Sequence, residues 1–476
     1  MKKQQFRHVL CVYPYQSELS ALGVLTGYPP LGLELIAAVI EPFCQDLDII
    51  DFRREKEGLN RFLKPETDLV CLSINWKLEE AFIAKVIASV PKEIQLWVGG
   101  RHATEDPEKW LGSFPNIDIL VRGDGEDVVE QLVEGVPLPE IRGLSFRNGE
   151  NICHNDNHVN NAIREDLYPN RTKRRYQWTT GLESFGVHKT FDTIVTSRGC
   201  PFNCQFCSFN KNPWGTKRSW TPRSPESVIA EVEETKADFI AFVDDLFTHD
   251  MNRVERICDL LLEKGIHKNY SIAARLDIAR RPDVLAKMRK AGFTLLLLGI
   301  ESAQDKTLRS MKKGFSTQKA IESMAVIRRY GMILHGFFLI GAIGESEKEM
   351  LAIAPFAKKL GIDNIQTCIL RNAPYSGLDE LVRQSPGYHI TPDGLVYSDH
   401  CSAEDLERIC ETIHKEFYSF QTVCRLIWKG FRTRMLTPRS IWQLPLTLLR
   451  QPWLTENREG YYDASGSPAT SAKSSI

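Results

Sequence analysis

The chain has no run of about 18 apolar residues, so nothing in it reads as a helix that spans a bilayer. Its opening residues, MKKQQFRHVLCVYPY, lack the apolar core and small-residue cleavage site of a secretory signal. Cysteine is sparse, 12 in 476 residues, which is too thin for a disulfide scaffold and makes a reducing cytoplasm the expected compartment. A formal net charge of -1 removes bulk attraction to nucleic acid, and no nucleic-acid partner is expected. No internal repeat of the solenoid or propeller kind is visible.

What is present is an ordinary globular composition, 42% hydrophobic and 25% charged, in a chain longer than one hydrophobic core usually organises. Two domains and a smaller appendage are expected. Over residues 1–136, short apolar runs at 8–13, 47–51, 69–74, 96–99 and 117–121 alternate with helical patterns at 32–40, 79–90 and 126–134. Right-handed βαβ connections then build an α/β fold, a doubly wound, Rossmann-like parallel sheet. Residues 137–187 break the rhythm with a hairpin near 143–151 and a polar stretch rich in Asn and Arg, and they read as a linker. From 188 to 402 six strand-helix units follow, with strands at 193–196, 239–243, 270–274, 295–299, 334–341 and 364–369. Six units suit a partial barrel of TIM type rather than a closed eightfold one. Residues 403–460 read as a mostly helical region rich in aromatic and basic side chains, and 461–476 as a disordered tail.

The segment TSRGCPFNCQFCSFN follows the first barrel strand and spaces Cys200, Cys204 and Cys207 as C-x3-C-x2-C, in a loop made compact by Gly199 and Pro201. Three thiolates in that pattern converge on one point. A 4Fe-4S cluster normally takes four thiolates, so three leave one iron open. A zinc site needs a fourth ligand, and buried structural cysteines need no pattern. The spacing, with Phe206 just before the third cysteine, resembles the signature of the radical S-adenosylmethionine superfamily. The resemblance implies that Cys200, Cys204 and Cys207 are both metal ligands and catalytic residues. The open iron then chelates the amino and carboxylate groups of S-adenosylmethionine. An electron from a donor such as flavodoxin or ferredoxin releases a 5'-deoxyadenosyl radical.

That family gathers its binding groups at the C-terminal ends of the barrel strands. Here those ends carry Asp244 and Asp245 in FVDDLFT, Arg275 and Asp277 in AARLD, and Gly299 to Ser302 in GIES. The family's Gly-Gly-Glu type segment is absent. Asp245 stands at its position and is expected to receive the amino group of S-adenosylmethionine, with a cap on the following helix as the alternative. Glu301 suits the ribose hydroxyls, and Phe206, Arg275 and Ser302 complete the expected set. The glycines of GFFLIGAIG, residues 336–344, resemble the family's adenine-contacting strand, or serve packing and turns.

In the first domain the loops to inspect are GGRHAT, with Gly99, Gly100 and His102, and RGDGE, with Gly123, Gly125 and Glu126. Together with YPPLGLELIAA they look like the cobalamin-binding domain that precedes the barrel in one large subclass of the family, and cobalamin is the expected cofactor. The Asp-x-His-x-x-Gly motif that brings a histidine to cobalt is missing, so His102 is expected beside the cofactor rather than on the metal. A domain that keeps only its fold is the alternative.

Between residues 417 and 453, Phe417, Phe420, Trp428, Trp442 and Trp453 interleave with Arg425, Lys429, Arg432 and Arg450. Such a segment fits a peripheral membrane contact, a cover over an apolar substrate, or an amphipathic cap on the barrel. The resemblance as a whole implies cobalamin-dependent methylation of an unactivated carbon in an apolar, lipid-like or natural-product substrate, with hopanoid C-methylases most alike in layout. Radical ring closure without methyl transfer, as in porphyrin ring cyclases, and a non-catalytic iron-sulfur or cobalamin sensor are the other readings.

Overall fold

The structure, a computed structural model, describes residues 4–16, 27–159, 162–180, 187, 189–212, 214–373 and 375–437. The strand β1 (Phe6–Tyr13) is buried along nearly its whole length, as a strand with helices on both faces must be. It pairs in parallel with β2 (Cys44–Asp51) and β3 (Thr67–Ser73). On the β3 side the sheet continues through β4 (Gln95–Gly99) and β5 (Ile119–Val121). An antiparallel hairpin, β6 (Leu144–Asn148) and β7 (Asn151–His154), completes it. The order 2-1-3-4-5-6-7 places a switch point between β1 and β3, where sheets of this kind bind ligands beyond the strand ends. The helices α1 (Leu31–Ile40), α2 (Glu80–Ala88), α3 (Arg101–Glu105), α4 (Pro107–Ser113) and α5 (Glu126–Val133) make the crossovers. The hairpin expected in the linker belongs to this sheet, because Leu144 and Phe146 bury in the same core as β5.

The second sheet opens with β8 (Phe191–Ile194). At its C-terminal end the short β9 (Ser197–Arg198) pairs with β10 (Thr221–Pro222). The strands β11 (Phe239–Phe242), β12 (Asn269–Ala274), β13 (Phe293–Glu301), β14 (Ile333–Ile340) and β15 (Asn364–Ile369) follow, in the parallel order 15-14-13-12-11-8. Outside lie α6 (Pro225–Glu234), α7 (Met251–Glu263), α8 (Pro282–Ala291), α9 (Asp305–Ser310), α10 (Thr317–Ile327), α11 (Glu347–Leu351) and α12 (Ile353–Leu360). Their starts are written locally. The side chains of Ser224, Asp250 and Ser316 accept backbone N–H groups at the first turns of α6, α7 and α10. Asp250, and not Asp245, caps the helix after β11.

Three helices end the described chain: α13 (Leu378–Arg383), α14 (Ala403–Phe417) and α15 (Phe420–Arg432). The last is amphipathic in an inverted sense. Arg425 and Lys429 turn inward onto the fully buried Asp363 at the start of β15, while Phe420 is 87% and Trp428 63% exposed. Just beyond α15, the Thr433 carbonyl accepts from Asn269 at the start of β12. The helix α15 therefore caps the N-terminal end of the barrel, opposite the cysteine loop, whereas α13 packs in one apolar cluster with Phe206 of that loop. Trp442, Trp453, Arg450 and the 461–476 tail lie outside the described residues. Among the described residues no helix is long and apolar enough to cross a membrane.

The polar stretch before the barrel is a clamp as well as a connection. Arg174 holds Glu34 of α1 and Asp192 of β8 through four contacts of 2.5 to 3.0 Å. Glu34 is wholly buried, and that burial pushes its carboxyl upward against the pull of the guanidinium. Beside it, Arg53 sits over the rings of both Tyr13 and Trp178, at 4.5 and 4.8 Å. Replacing Arg174 with Met strips the buried Glu34 of its bonded cation and leaves Asp192 with Arg171 alone. The expected loss is about 3–5 kcal/mol, read as a lower denaturant midpoint. An unchanged midpoint would show that the clamp contributes nothing.

Candidate active site at the domain seam

The cysteine loop owes its shape to Gly199. Its φ is +83°, and a Cβ there would lie 2.4 Å from the Ser219 carbonyl oxygen, so only glycine turns β9 into the loop. Its N–H donates to Asp245 Oδ2 at 2.7 Å, which ties the loop to the end of β11. Cys207 N donates to Cys204 O at 3.2 Å, and Phe209 N to Cys207 Sγ at 3.4 Å. All three cysteines are half-buried, and burial raises the thiols of Cys200 and Cys207, the latter to about 11. A single zinc ion with Zn–S bonds of about 2.3 Å would hold three sulfurs within about 4 Å of one another. Among the described residues the one ligand group that tight is His8, Asp46 and Asp48, and there Lys64 already pairs with both carboxylates. The three cysteine sulfurs do not all lie within 4.8 Å of one another.

Basic and acidic side chains surround this loop. Arg275 lies 3.7 Å over the Phe202 ring and donates to the Lys313 carbonyl at 2.8 Å, while its Nε is buried with no partner. Lys313 Nζ pairs with Glu301 Oε1 at 2.7 Å and lies 5.8 Å from the Phe206 ring centroid. Glu301 itself sits at φ +72°, where β13 slips register against β14, a strained backbone for a non-glycine residue. Gly299 makes room, since a Cβ there would fall 2.6 Å from the Glu301 carboxylate. Ser302 Oγ donates to Glu345 Oε1 at 3.3 Å, and burial lifts Glu345 to about 7. Asp245 is also lifted by burial, to about 6, although Arg218 and Arg198 pull it down. Its neighbour Asp244 is fully buried and accepts from Thr196 N at 2.6 Å and Ser197 Oγ at 2.7 Å, which closes the β8 end.

The first domain reaches this loop directly. Glu126 accepts from Arg198, two residues before Cys200, and Asp124 accepts from Arg218. Trp214 lies under the Arg122 guanidinium and against Gly123, whose missing Cβ would come within 3.2 Å of the indole. The RGDGE loop is thus spent largely on the barrel. Gly99, Gly100 and Gly125 likewise face Val121, Ile74 and Ile36, so they permit internal packing. His102 is held by Glu80 at 2.9 Å, with Glu105 at 3.7 Å from its other nitrogen. Its ring packs between α2 and α3, with Nε2 spent on Glu80 and Nδ1 buried without a hydrogen bond. At the switch point, Tyr15 Oη accepts from Asn75 N and Trp76 N at 2.8 Å each, which presents the Trp76 indole to solvent, 48% exposed. An exposed indole at that mouth suits a planar macrocycle covered by an aromatic face rather than held by a histidine.

Lys313, Glu345, Arg198, Arg218 and Trp76 were not singled out by sequence. For Lys313 the pair MKK offers no local sign of which lysine turns inward; for Trp76 the switch point itself was the signal.

A model of the Radical SAM superfamily matches residues 194–357, and one of the B12 binding domain matches residues 23–133. The chain contains a radical S-adenosylmethionine domain and a B12-binding domain. Its cofactors are a 4Fe-4S cluster, S-adenosylmethionine and cobalamin. An uncharacterized methyltransferase of Pyrococcus horikoshii is 28% identical over 436 residues, 86% of this chain and 92% of that protein. The hopanoid C-3 methylase of Methylococcus capsulatus is 28% identical over 338 residues, 68% of this chain and 63% of its own length. In fold this radical enzyme matches the cobalamin- and cluster-bound radical S-adenosylmethionine methyltransferase TsrM of Kitasatospora setae, with a TM-score of 0.65 at 16% identity, covering 91% and 90% of the two chains.

The raised Glu345 carboxyl gives a pH signature. The folded state holds this proton up to about 7, whereas the unfolded chain releases it near the ordinary value of 4.5. The stabilising proton is therefore lost as pH rises between those values. Glu345→Gln should match the parent at low pH and exceed it in stability at pH 8, by at most about 3 kcal/mol. Parallel stability profiles across that range would contradict the assignment.

Proposed function

We propose that this enzyme transfers a methyl group to an unactivated carbon of a largely apolar substrate. One observation carries the reading: the cysteine loop and the ligand mouth of the doubly wound sheet are joined by the pairs Arg198–Glu126 and Arg218–Asp124, so both cofactor sites face one space. When bound there, the cluster supplies the electron that cleaves S-adenosylmethionine to a 5'-deoxyadenosyl radical, and cobalamin supplies a transferable methyl group. Relatives named as methyltransferases support this use of the pair.

Cys200, Cys204 and Cys207 would hold three irons of a bound cluster and leave the fourth open to S-adenosylmethionine. Asp245, fixed by Gly199 N–H beside the thiols, takes the amino group, and Glu301 takes the ribose hydroxyls. Arg275 and Lys313 add positive charge for the carboxylate, with Phe206 and Ser302 lining the same side. The exposed Trp76 indole would pack on one face of a bound corrin. A flavodoxin- or ferredoxin-type donor delivers the electron. At the far end of the barrel, exposed Phe420 and Trp428 support a peripheral lipid contact.

The test uses anaerobically reconstituted protein, S-adenosylmethionine labelled in its methyl group, and an organic extract of cells deleted for the gene. Label should enter an extractable apolar compound, together with 5'-deoxyadenosine. Cys204→Ala should yield neither, and Glu301→Gln should weaken S-adenosylmethionine binding about tenfold in equilibrium dialysis. Formation of 5'-deoxyadenosine with label confined to methionine would overturn methyl transfer in favour of ring closure or oxidation.

A further inference from the structure

From Phe417 to Thr455 the sequence holds Arg425, Lys429, Arg432, Arg434, Arg439 and Arg450 but no Asp or Glu, in a chain whose net charge is -1. The same stretch carries Phe420, Trp428, Phe431, Trp442 and Trp453. The structure describes it as far as Thr437, and there the two kinds of residue are sorted onto different sides.

On α15 the residues Phe420, Cys424 and Trp428 recur at every fourth position and so share one stripe. All three are exposed. Ile427 and Phe431, on the same stripe, are half-buried. The helix cannot roll to hide them, because its other flank is pinned to the barrel. Arg425 Nε and Lys429 Nζ bind the two oxygens of Asp363 at 3.0 and 2.5 Å, and Lys429 also donates to the Met332 carbonyl at 2.9 Å. Asp363 is wholly buried, so turning the helix would leave its charge uncompensated. An ionic lock thus holds the aromatic stripe outward.

The stripe runs into a group of guanidiniums. Arg432 is four residues on from Trp428, lies against Gly331, and gives its carbonyl to Arg289 of α8 at 2.8 Å. Arg434 follows two residues later, and both Arg432 and Arg434 are exposed. Among the described residues none of the three pairs with a carboxylate. Burial first, then the charges of Arg432 and Arg434, push the pKa of Arg289 down. Crowded like charges repel, and an anion from outside relieves the repulsion. The stripe itself, about 20 Å by 10 Å, offers roughly 200 Å², well short of the ~800 Å² that each partner gives to a stable protein interface. An amphipathic helix lying among lipid headgroups needs no more, with Trp and Phe at the apolar boundary and Arg at the phosphates.

We infer that α15 docks on a bilayer surface containing anionic lipid, with Phe420 and Trp428 entering the apolar boundary and Arg289, Arg432 and Arg434 taking the lipid phosphates. This inference rests on the lipid contact proposed above and adds the lipid class and the residues that select it. Because α15 lies at the end of the barrel opposite the cysteine loop, the contact is an anchor and not the route by which substrate enters.

The test floats the full chain, loaded anaerobically with cluster and cobalamin, with vesicles of phosphatidylcholine alone or of phosphatidylcholine mixed with phosphatidylglycerol. The mixed vesicles should bind it at least about tenfold more strongly, and high salt should erase most of that preference. Arg432→Gln combined with Arg434→Gln should cut the preference below about threefold while binding to phosphatidylcholine holds. Phe420→Ser combined with Trp428→Ser should weaken binding to both vesicles about tenfold. Corrin and cluster absorbance report that each variant is folded. Equal binding to the two vesicles overturns the inference and keeps the lipid contact, whereas binding to neither removes both. Undiminished binding by the Phe420 and Trp428 variant, or a preference that survives the arginine substitutions, also overturns it. So does a dimer, seen by sedimentation without vesicles, that the Phe420 and Trp428 substitutions dissolve, since the stripe would then belong to a second copy of the chain.

Discussion

Two ion pairs across the seam, Arg198 with Glu126 and Arg218 with Asp124, set where everything else can act. Arg198 is the last residue before the glycine that turns the chain into the cysteine loop, so the loop of one domain is positioned by carboxylates of the other. Taking such charges out of water is costly, and an apolar seam of equal size would often be as stable. What the charges provide is register. A hydrophobic contact tolerates sliding, whereas a guanidinium against a carboxylate does not. Arg174, gripping Glu34 and Asp192 on the far side of the seam, adds a second fixed point, and two such points fix the angle between the sheets as well as their separation.

With the mouths held in register, local strain at the rim becomes affordable. Glu301 adopts a left-handed backbone conformation that costs of order 1–3 kcal/mol. It is kept there by Lys313 and by the absence of a side chain on Gly299. The result is a carboxylate and an ammonium aimed beside Phe206 instead of continuing along the strand. The same logic places Asp245, whose burial would favour its neutral form, where two arginines and a backbone N–H favour the ionised one. The rim is polar and pre-set, and the floor of the barrel is closed by aromatic residues.

The alternation of buried strands with amphipathic helices was legible in both domains because each element carries its own periodicity, and the C-x3-C-x2-C spacing is a local pattern by nature. What escaped depends on partners far apart in sequence. Arg174 and Glu34 are separated by 140 residues, and nothing near either one names the other. The hairpin at β6 and β7 was recognisable as a hairpin, but its membership of the first sheet depends on burial against β5. The interleaved aromatic and basic residues of α15 fitted a membrane contact, a substrate cover or a barrel cap alike, and only Asp363, far off in sequence, shows that Arg425 and Lys429 turn inward and leave Phe420 and Trp428 outside. The glycines of GGRHAT and RGDGE signalled close approach correctly but not of what. Protein, in each case, occupies the space a side chain would need.

The central claim is that the cluster site and the cobalamin site open onto one shared space because the seam holds them there. Electron paramagnetic resonance of the anaerobically loaded enzyme, with the cluster reduced and cobalamin in its cob(II) form, tests this directly. The account predicts magnetic interaction between the two spins, seen as broadening or splitting of the cobalamin signal that disappears when the cluster is oxidised. Two independent signals, each identical to that of the singly loaded protein, would contradict it.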